Sequence, residues 1–349
     1  MAYRFEFRPY RQKFVTSLTT SHGTWDIREG IIVRLTDETG KIGWGEIAPI
    51  SWFGSETLEQ ALEFCCQLPE EITQETIFSI PNELSACQFG FESAWETNRR
   101  GAEDAEKEKE ENLRINNLSY SGLIPAGEAA LQVWENLWKE GYRTFKWKIG
   151  VYPIAQELEI FERLAQTLPA SAKLRLDANG GLSYEEAKLW LQNCDDIKAN
   201  EECLLLIEFI EQPLSVDQFA AMLELSHCYQ TAIALDESVA TLNQLATCFK
   251  QGWREIFVIK PGIVGSPSRL RQFCQQHKID AAFSSVFETV IGRQAGLQLA
   301  AELSLLTRAV GFGVNHWFAQ EEILPEDLWK NFRKFRKFCA ACISPVSLQ

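Results

Sequence analysis

Five short apolar runs in the middle and later parts of the chain end in, or lie just before, a charged residue. They are FKWKIG with Lys146 and Lys148, LRLDANG with Asp177, IEFIEQP with Glu211, ALDES with Asp236, and FVIKPG with Lys260. Singly, each has an ordinary structural explanation: an Asp after a strand caps the next helix, and a Lys there reaches back to water. Read in order they give lysine, acid, acid, acid, lysine. Three carboxylates converging on one place repel one another. A hard divalent cation resolves that repulsion, and an all-oxygen ligand set selects Mg²⁺ over zinc. The lysines then stand on either side of the acids and suit acid/base or electrostatic work. The matching chemistry is removal of a proton next to a carboxylate. Its product, a doubly charged enediolate, is stabilised by a metal at the carboxylate. A lysine serves as the base if desolvation or a neighbouring cation lowers its pKa. In the KxK pair, Lys146 lowers Lys148 by like-charge repulsion, and the metal adds to it.

The elements that must position these residues read as a βα alternation. Expected strands are Tyr120–Ile124, Thr144–Lys148, Lys173–Asp177, Leu204–Ile210, Ala232–Leu235, Ile256–Ile259 and Ala281–Ser284, with Val310–Val314 as a last one. Helical stretches such as Ala126–Glu140, Tyr184–Asn193, Val216–Leu225 and Leu270–Gln276 separate them. This rhythm implies a parallel sheet. Seven or eight units in roughly 190 residues favour a closed barrel, whose strand C-termini face the site. Before it, Ile31–Leu35 and Ile42–Glu46 read as strands around a turn at Asp37–Gly40, followed by helices at Leu58–Leu68 and Asn82–Arg99. The charge-dense run Gly101–Asn117 reads as a solvated helix end or linker and sets the boundary. The fold class is therefore α/β: an α+β module over 1–112, a (β/α)7β TIM-like barrel over 118–312, and a C-terminal segment, 313–349, packing on the module and completing it.

Alternation along a strand chooses between neighbours. Lys146 and Lys148 share a face and Trp147 points the other way. Glu208 and Glu211 point oppositely, so Glu211 faces the site and Glu208 faces outward. Asp236 is preferred to Glu237, which is left as a supporting acid. Arg175 falls on the side of Asp177, where it could meet a second substrate carboxylate; a solvent-facing arginine explains it nearly as well.

With 349 residues and a formal net charge of −14, general nucleic-acid binding is excluded, because phosphate contacts need clustered Lys and Arg. No signal-peptide pattern and no run of about 20 apolar residues is visible, so a soluble, cytoplasmic protein is expected. The ten cysteines are scattered and read as reduced. Cys339 and Cys342 make one CxxC with no second pair nearby, and the four histidines form no metal-spaced cluster. The basic aromatic stretch Trp329–Phe338 suits a membrane surface or packing on the N-terminal module; packing is expected.

The motifs KWK (Lys146–Lys148), DAN (Asp177–Asn179), EQP (Glu211–Pro213), DES (Asp236–Ser238) and KPG (Lys260–Gly262), in this order and about 25–35 residues apart, resemble the muconate-lactonizing-enzyme subgroup of the enolase superfamily. GWGEIAP (Gly43–Pro49) resembles that family's N-terminal capping domain. The resemblance covers nearly the whole chain. It implies Asp177, Glu211 and Asp236 as Mg²⁺ ligands, with Mn²⁺ able to substitute, Lys148 as acid/base residue tuned by Lys146, and Lys260 on the opposite face of the substrate. Asn179 would support the metal site, with Ser284 and Ser285 as substrate contacts. The family's cap covers the barrel mouth, making Thr19–Gly23 and Trp52–Ser55 candidate lids.

Members of this subgroup share a half-reaction and differ in product. SGLIPAG, DANGGLS, LDESVA and SSVFETVIG look most like the o-succinylbenzoate synthases of cyanobacterial type. That resemblance implies dehydration of 2-succinyl-6-hydroxy-2,4-cyclohexadiene-1-carboxylate to 2-succinylbenzoate, on the route to phylloquinone or menaquinone. Dipeptide epimerases usually carry an acid pair after the eighth strand; here that region reads GFGVNHW (Gly311–Trp317). An N-acylamino-acid racemase or dipeptide epimerase is the alternative on the same scaffold, and a non-catalytic binding protein the more remote one. The expected partner is a small carboxylate substrate, and a monomer is expected.

Overall fold

The chain opens by alternating aromatic and polar side chains, Tyr3, Phe5 and Phe7 against Arg4, Glu6 and Arg8, a pattern that fits a half-buried strand. In a computed structural model, which describes residues 1–20, 23–100, 105–305, 308–313 and 325–331, this segment is β1 (Ala2–Thr20). It pairs antiparallel with β2 (Gly23–Thr36), which pairs with β3 (Ile42–Ile47); β4 (Glu71–Thr73) lies on the other side of β1. The turn between β2 and β3 falls at Asp37–Gly40. There Asp37 Oδ1 accepts from the amides of Thr39 and Lys41, and Gly40 adopts φ +86°. Tyr3, Phe5, Ile31, Val33 and Leu35 turn to one face and pack with Phe91 and Ala94 of the helix Ser85–Arg99. That helix crosses β3 at glycines: a Cβ on Gly45 would stand 1.9 Å from the Gly90 carbonyl oxygen.

The second sheet is parallel and runs in chain order: β5 (Ser121–Ile124), β6 (Thr144–Lys148), β7 (Lys173–Asp177), β8 (Leu206–Glu211), β9 (Ile233–Leu235), β10 (Ile256–Ile259) and β11 (Asp280–Phe283). Val310 bridges Tyr120 and Gly311 bridges Ser284, so a short eighth segment joins the two edges and closes the ring. Outward-facing Phe145, Trp147, Leu174, Leu176, Leu235 and Phe283 form the core beneath the helices. Inside the ring, Phe209, Ala234, Ile256, Val258 and Ala282 make a separate apolar layer.

One expectation from strand alternation fails. The register between β7 and β8 passes from Leu174↔Ile207 to Arg175↔Phe209, leaving Glu208 as an extra residue. A bulge of this kind turns two successive side chains the same way. Glu208 therefore does not face outward. It accepts from Arg175 Nε at 2.6 Å and lies 3.5 and 3.6 Å from Arg308 and Lys173. Arg308 also holds Asp280, with Nε 2.8 Å from Oδ1. Both guanidiniums lie near the Phe209 ring, at 5.0 and 5.8 Å from its centroid. The barrel floor is an ion cluster beneath an apolar layer.

The charged run after the cap is a helix, Ala105–Asn116, whose Ile115 joins the barrel core. The helix Pro325–Asn331 lies on the cap sheet, where the Trp329 ring sits 5.4 Å from Trp44, with Arg8 and Arg34 4.1 and 4.9 Å from its centroid. Residues 332–349, with Cys339, Cys342 and the rest of the basic aromatic stretch, lie outside the described residues, as do 21–22 of one candidate lid and 314–324. Among the described residues no helix is long and apolar enough to cross a membrane.

Cap and barrel are pinned at Glu46. This fully buried carboxylate accepts from Tyr10 Oη (2.5 Å) and from three donors at the start of the barrel helix Val290–Leu303: the Thr289 amide, the Gly292 amide (2.9 Å) and the Thr289 hydroxyl. A helix N-terminus favours a carboxylate there.

Candidate active site

The acids and lysines do converge. Asp177 ends β7, Glu211 ends β8 and is its in-register neighbour, and Asp236 follows β9. All three are buried. Lys146, one turn of the pleat below Lys148 on β6, places its Nζ 2.8 Å from both Asp177 Oδ2 and Glu211 Oε1. Trp147, between the lysines, points away into the outer core and packs on Phe161 and Trp190. Lys260, just beyond β10, grips Asp236. With eight positions in the ring, β6 and β10 are four apart, so Lys148 and Lys260 stand across the barrel from one another with the acids between them.

Burial and charge set the protonation of this group. Burial opposes the charge on Lys146, yet Asp177, Glu211 and Asp236 together hold its pKa well above the ordinary lysine value. Lys148 is shifted the other way. Burial lowers its pKa, Asp177 opposes this, and Lys146 adds to the lowering. Like-charge repulsion by Lys146 is present as the sequence suggested, but desolvation leads. Burial also raises Glu211, with Lys146 opposing and Asp236 adding, and raises Asp236, with Lys260 opposing.

The strand ends are shaped by their next residues. Asn179 and Gln212 take left-handed φ values of 45° and 40°, the kind of backbone strain that collects at functional sites. Gln212, fully buried, ties two motifs together. Its Oε1 accepts from the amides of Asp236 and Ser238, and its Nε2 donates to Ser238 Oγ and the Leu214 carbonyl. Asn179 donates from its amide to Asp177 Oδ1 and from Nδ2 to Glu237 Oε1. Burial, helped by Asp177, raises Glu237, whose Oε2 has no partner among the described residues.

This donor set fits a hard divalent cation: three buried carboxylates and no sulfur or imidazole. Among the described residues no three such groups already ring one point; the lysine ammoniums hold the acids instead.

Comparison with known proteins bears on the whole chain. Residues 129–331 match the family model "Enolase C-terminal domain-like", and residues 8–97 match "MenC, N-terminal domain". The o-succinylbenzoate synthase of Thermosynechococcus vestitus is 38% identical over 90% of this chain and 93% of that protein. The chain belongs to the enolase superfamily and, within it, to the o-succinylbenzoate synthase family. A crystal structure of o-succinylbenzoate synthase from Thermosynechococcus elongatus, complexed with Mg in the active site, superposes on this enolase-superfamily chain with a TM-score of 0.82 at 36% identity, covering 94% of this chain and 99% of that one. The L-Ala-D/L-Glu epimerase of Bacillus subtilis is more distant, at 24% identity over 86% of this chain and 84% of that protein.

Against this family background, two expected substrate contacts are engaged elsewhere. Arg175 is buried in the barrel floor, where its Nε lies 2.6 Å from Glu208 Oε2. Ser285 donates its hydroxyl proton to Glu288 (3.0 Å) and accepts from the Phe287 amide, which spends it on the turn. Ser284 remains at the mouth, bridged to Gly311. Sequence reading gave no role to Gln212, although its partners Asp236 and Ser238 lie in DES, and did not single out Glu288; Phe53 was covered only as part of the candidate lid Trp52–Ser55. Phe53 ends a short 3₁₀ turn of the cap, Ser51–Phe53, and its ring centroid lies 4.1 Å from Lys260 Nζ.

Proposed function

We propose that this protein is an o-succinylbenzoate synthase: it removes water from 2-succinyl-6-hydroxy-2,4-cyclohexadiene-1-carboxylate to give 2-succinylbenzoate, with Mg²⁺ as cofactor. The observation that carries the proposal is the placement of two lysines on opposite sides of a buried triad of acids, in a chain with a relative at 38% identity that carries that name. Lys148 takes the proton next to the substrate carboxylate; burial, which favours its neutral form, suits it to the task. The C–H electrons move into the carboxylate to form an enediolate. They return as the neighbouring C–O bond breaks, and Lys148 gives its proton to the departing hydroxide, so one residue serves both steps. The ring becomes aromatic. When bound by Asp177, Glu211 and Asp236, Mg²⁺ would supply positive charge at the substrate carboxylate, where negative charge develops. Lys146 fixes Asp177 and Glu211, and Lys260 adds positive charge on the far face.

Two lysines across a barrel would serve epimerisation equally well, so the reading rests on the family as much as on geometry. Mn²⁺, with similar preference for oxygen ligands, should substitute. The division into a cap (1–112), a barrel (118–312) and a C-terminal segment on the cap (313–349), a monomeric state and a cytoplasmic location belong to the same proposal. The ultraviolet spectrum of the cyclohexadiene substrate tests it. Chelator-sensitive loss of the diene band with an aromatic product is expected. An unchanged spectrum with competent substrate and Mg²⁺ would overturn it, and would favour racemisation of an acylated amino acid.

A further inference from the structure

An aromatic side chain of the cap, Phe53, reaches Lys260 of the catalytic ring. Phe53 is buried in the cap–barrel seam, packed with Ile50 of the cap and Ala240, Ile263 and Val286 of the barrel. Its turn is held closed. The amides of Phe53 and Gly54 donate to the Ile50 carbonyl, and the Ile50 amide donates to Ser55 Oγ at 2.7 Å. Next along the chain, buried Glu56 accepts from the amides of Ala86 and Cys87 at the start of the helix Ser85–Arg99. The ring therefore has a fixed place, and its face is turned to Lys260 Nζ, 4.1 Å from the centroid.

We propose that Phe53 is a positioning residue for Lys260, acting through the electrostatics of its ring face. This inference rests on the reading of Lys260 as the cation opposite Lys148. The ammonium has two neighbours of different kinds, the Asp236 carboxylate and the Phe53 ring. A carboxylate can also be drawn to a metal ion. A benzene face attracts an ammonium through its quadrupole but is no ligand for a hard cation. Phe53 thus keeps Lys260 aimed across the barrel even when Asp236 is otherwise engaged. It also keeps water from the ammonium, which strengthens the field at the substrate. Because Phe53 belongs to the cap while Lys260 belongs to the barrel, the far-face cation is correctly set only when the two units are docked.

The test is a series at position 53, with turnover of the cyclohexadiene carboxylate, thermal melting and Mg²⁺ binding by calorimetry measured together. Phe53→Leu keeps an apolar side chain and removes the π face; kcat should fall about thirtyfold, the size of a desolvated cation–π contact, while Mg²⁺ affinity is unchanged. Phe53→Tyr should stay within about threefold of the wild type. In a Lys260→Ala background, Phe53→Leu should cost nothing further. Site-specific replacement of Phe53 by mono-, di- and trifluorophenylalanine weakens the ring quadrupole with little change of shape. It should lower log kcat stepwise, and it decides the matter even where Phe53→Leu fails to fold. A kcat insensitive to fluorination, or a full Phe53→Leu loss in the Lys260→Ala background, would overturn the proposal. A wild-type protein that does not turn over the substrate would overturn the synthase reading instead, so the two failures are distinguishable.

Discussion

Glu288 offers a clean pH test of the cap–barrel seam. The side chain is buried, and both its hydrogen bonds, from Ser285 Oγ at 3.0 Å and the Val286 amide at 2.6 Å, go to Oε2. Oε1 meets no partner among the described residues. Burial, with the Glu46 carboxylate adding, raises its pKa from 4.5 to about 7. Between those values the folded protein binds a proton that the unfolded chain has lost, so stability falls as pH rises through the window. The interval corresponds to about 3 kcal/mol lost by pH 8. Glu288→Gln imitates the neutral acid: its carbonyl can take the place of Oε2 and keep both bonds, with the amide at the unpartnered position. Any fixed cost of that amide is the same at every pH. Urea unfolding at pH 5 and pH 8.5 should therefore show the variant gaining about 2–3 kcal/mol on the wild type between the two conditions. A difference between the two proteins that does not change with pH would refute the argument and place the seam's pH dependence elsewhere.

Lys148→Ala should lower kcat by roughly 10³-fold, within the range of a general acid/base group, with melting temperature little changed. In the wild type kcat/KM should rise with pH through the lowered Lys148 pKa, because only the neutral amine accepts a proton. Glu46→Ala leaves the Tyr10 hydroxyl, the Thr289 amide and hydroxyl and the Gly292 amide without their acceptor; chemical unfolding should register a loss of about 3–5 kcal/mol. Arg175→Met breaks a buried pair, but Glu208 keeps Arg308 and Lys173. A destabilisation of about 3 kcal/mol is expected, with KM within twofold of wild type, whereas a KM raised tenfold or more would restore Arg175 as a substrate contact. Asp236→Asn removes one charged ligand and should weaken Mg²⁺ binding in calorimetry by at least about tenfold. Chelator should abolish turnover of the wild type.

The site was readable wherever a residue's role depends on strand position alone. Lys146, Lys148, Asp177, Glu211 and Asp236 end short apolar runs, and alternation correctly sent Trp147 the other way. Alternation failed at Glu208 because it assumes an unbroken ladder; the extra residue opposite Leu174–Arg175 is a property of two strands together and leaves no mark in either one. Arg175 does fall on the side of Asp177, as alternation places it, but its partner there, Glu208, is brought in by the bulge. Ser285 sits at the right chain position, but its hydroxyl is consumed by a side chain three residues on. Phe53 and Glu46 act across the seam, on Lys260 and Thr289. Separations of some 200 residues carry no periodic signal. The strand β1 was missed although its alternation is plain in Tyr3 and Phe5, because its arginines and Pro9 mask the apolar character of the segment.

The barrel interior holds two charged layers, and their difference explains why only one can do chemistry. On the floor, Glu208 is shared by Arg175, Arg308 and Lys173, and Asp280 by Arg308, so each acid already has its cation. Above the Phe209 layer the balance tips. Asp177, Glu211, Asp236 and Glu237 face Lys146 and Lys260, and burial lowers the pKa of Lys148. Glu237 Oε2 has no partner there among the described residues. An acid surplus at the mouth costs stability, which the saturated floor and the Glu46 pin can offset. It is also what a divalent cation and an anionic substrate need, since the ion can take the excess charge and still attract a carboxylate. Filling the mouth with further lysines or arginines would relieve the repulsion and remove the reason for a metal to bind.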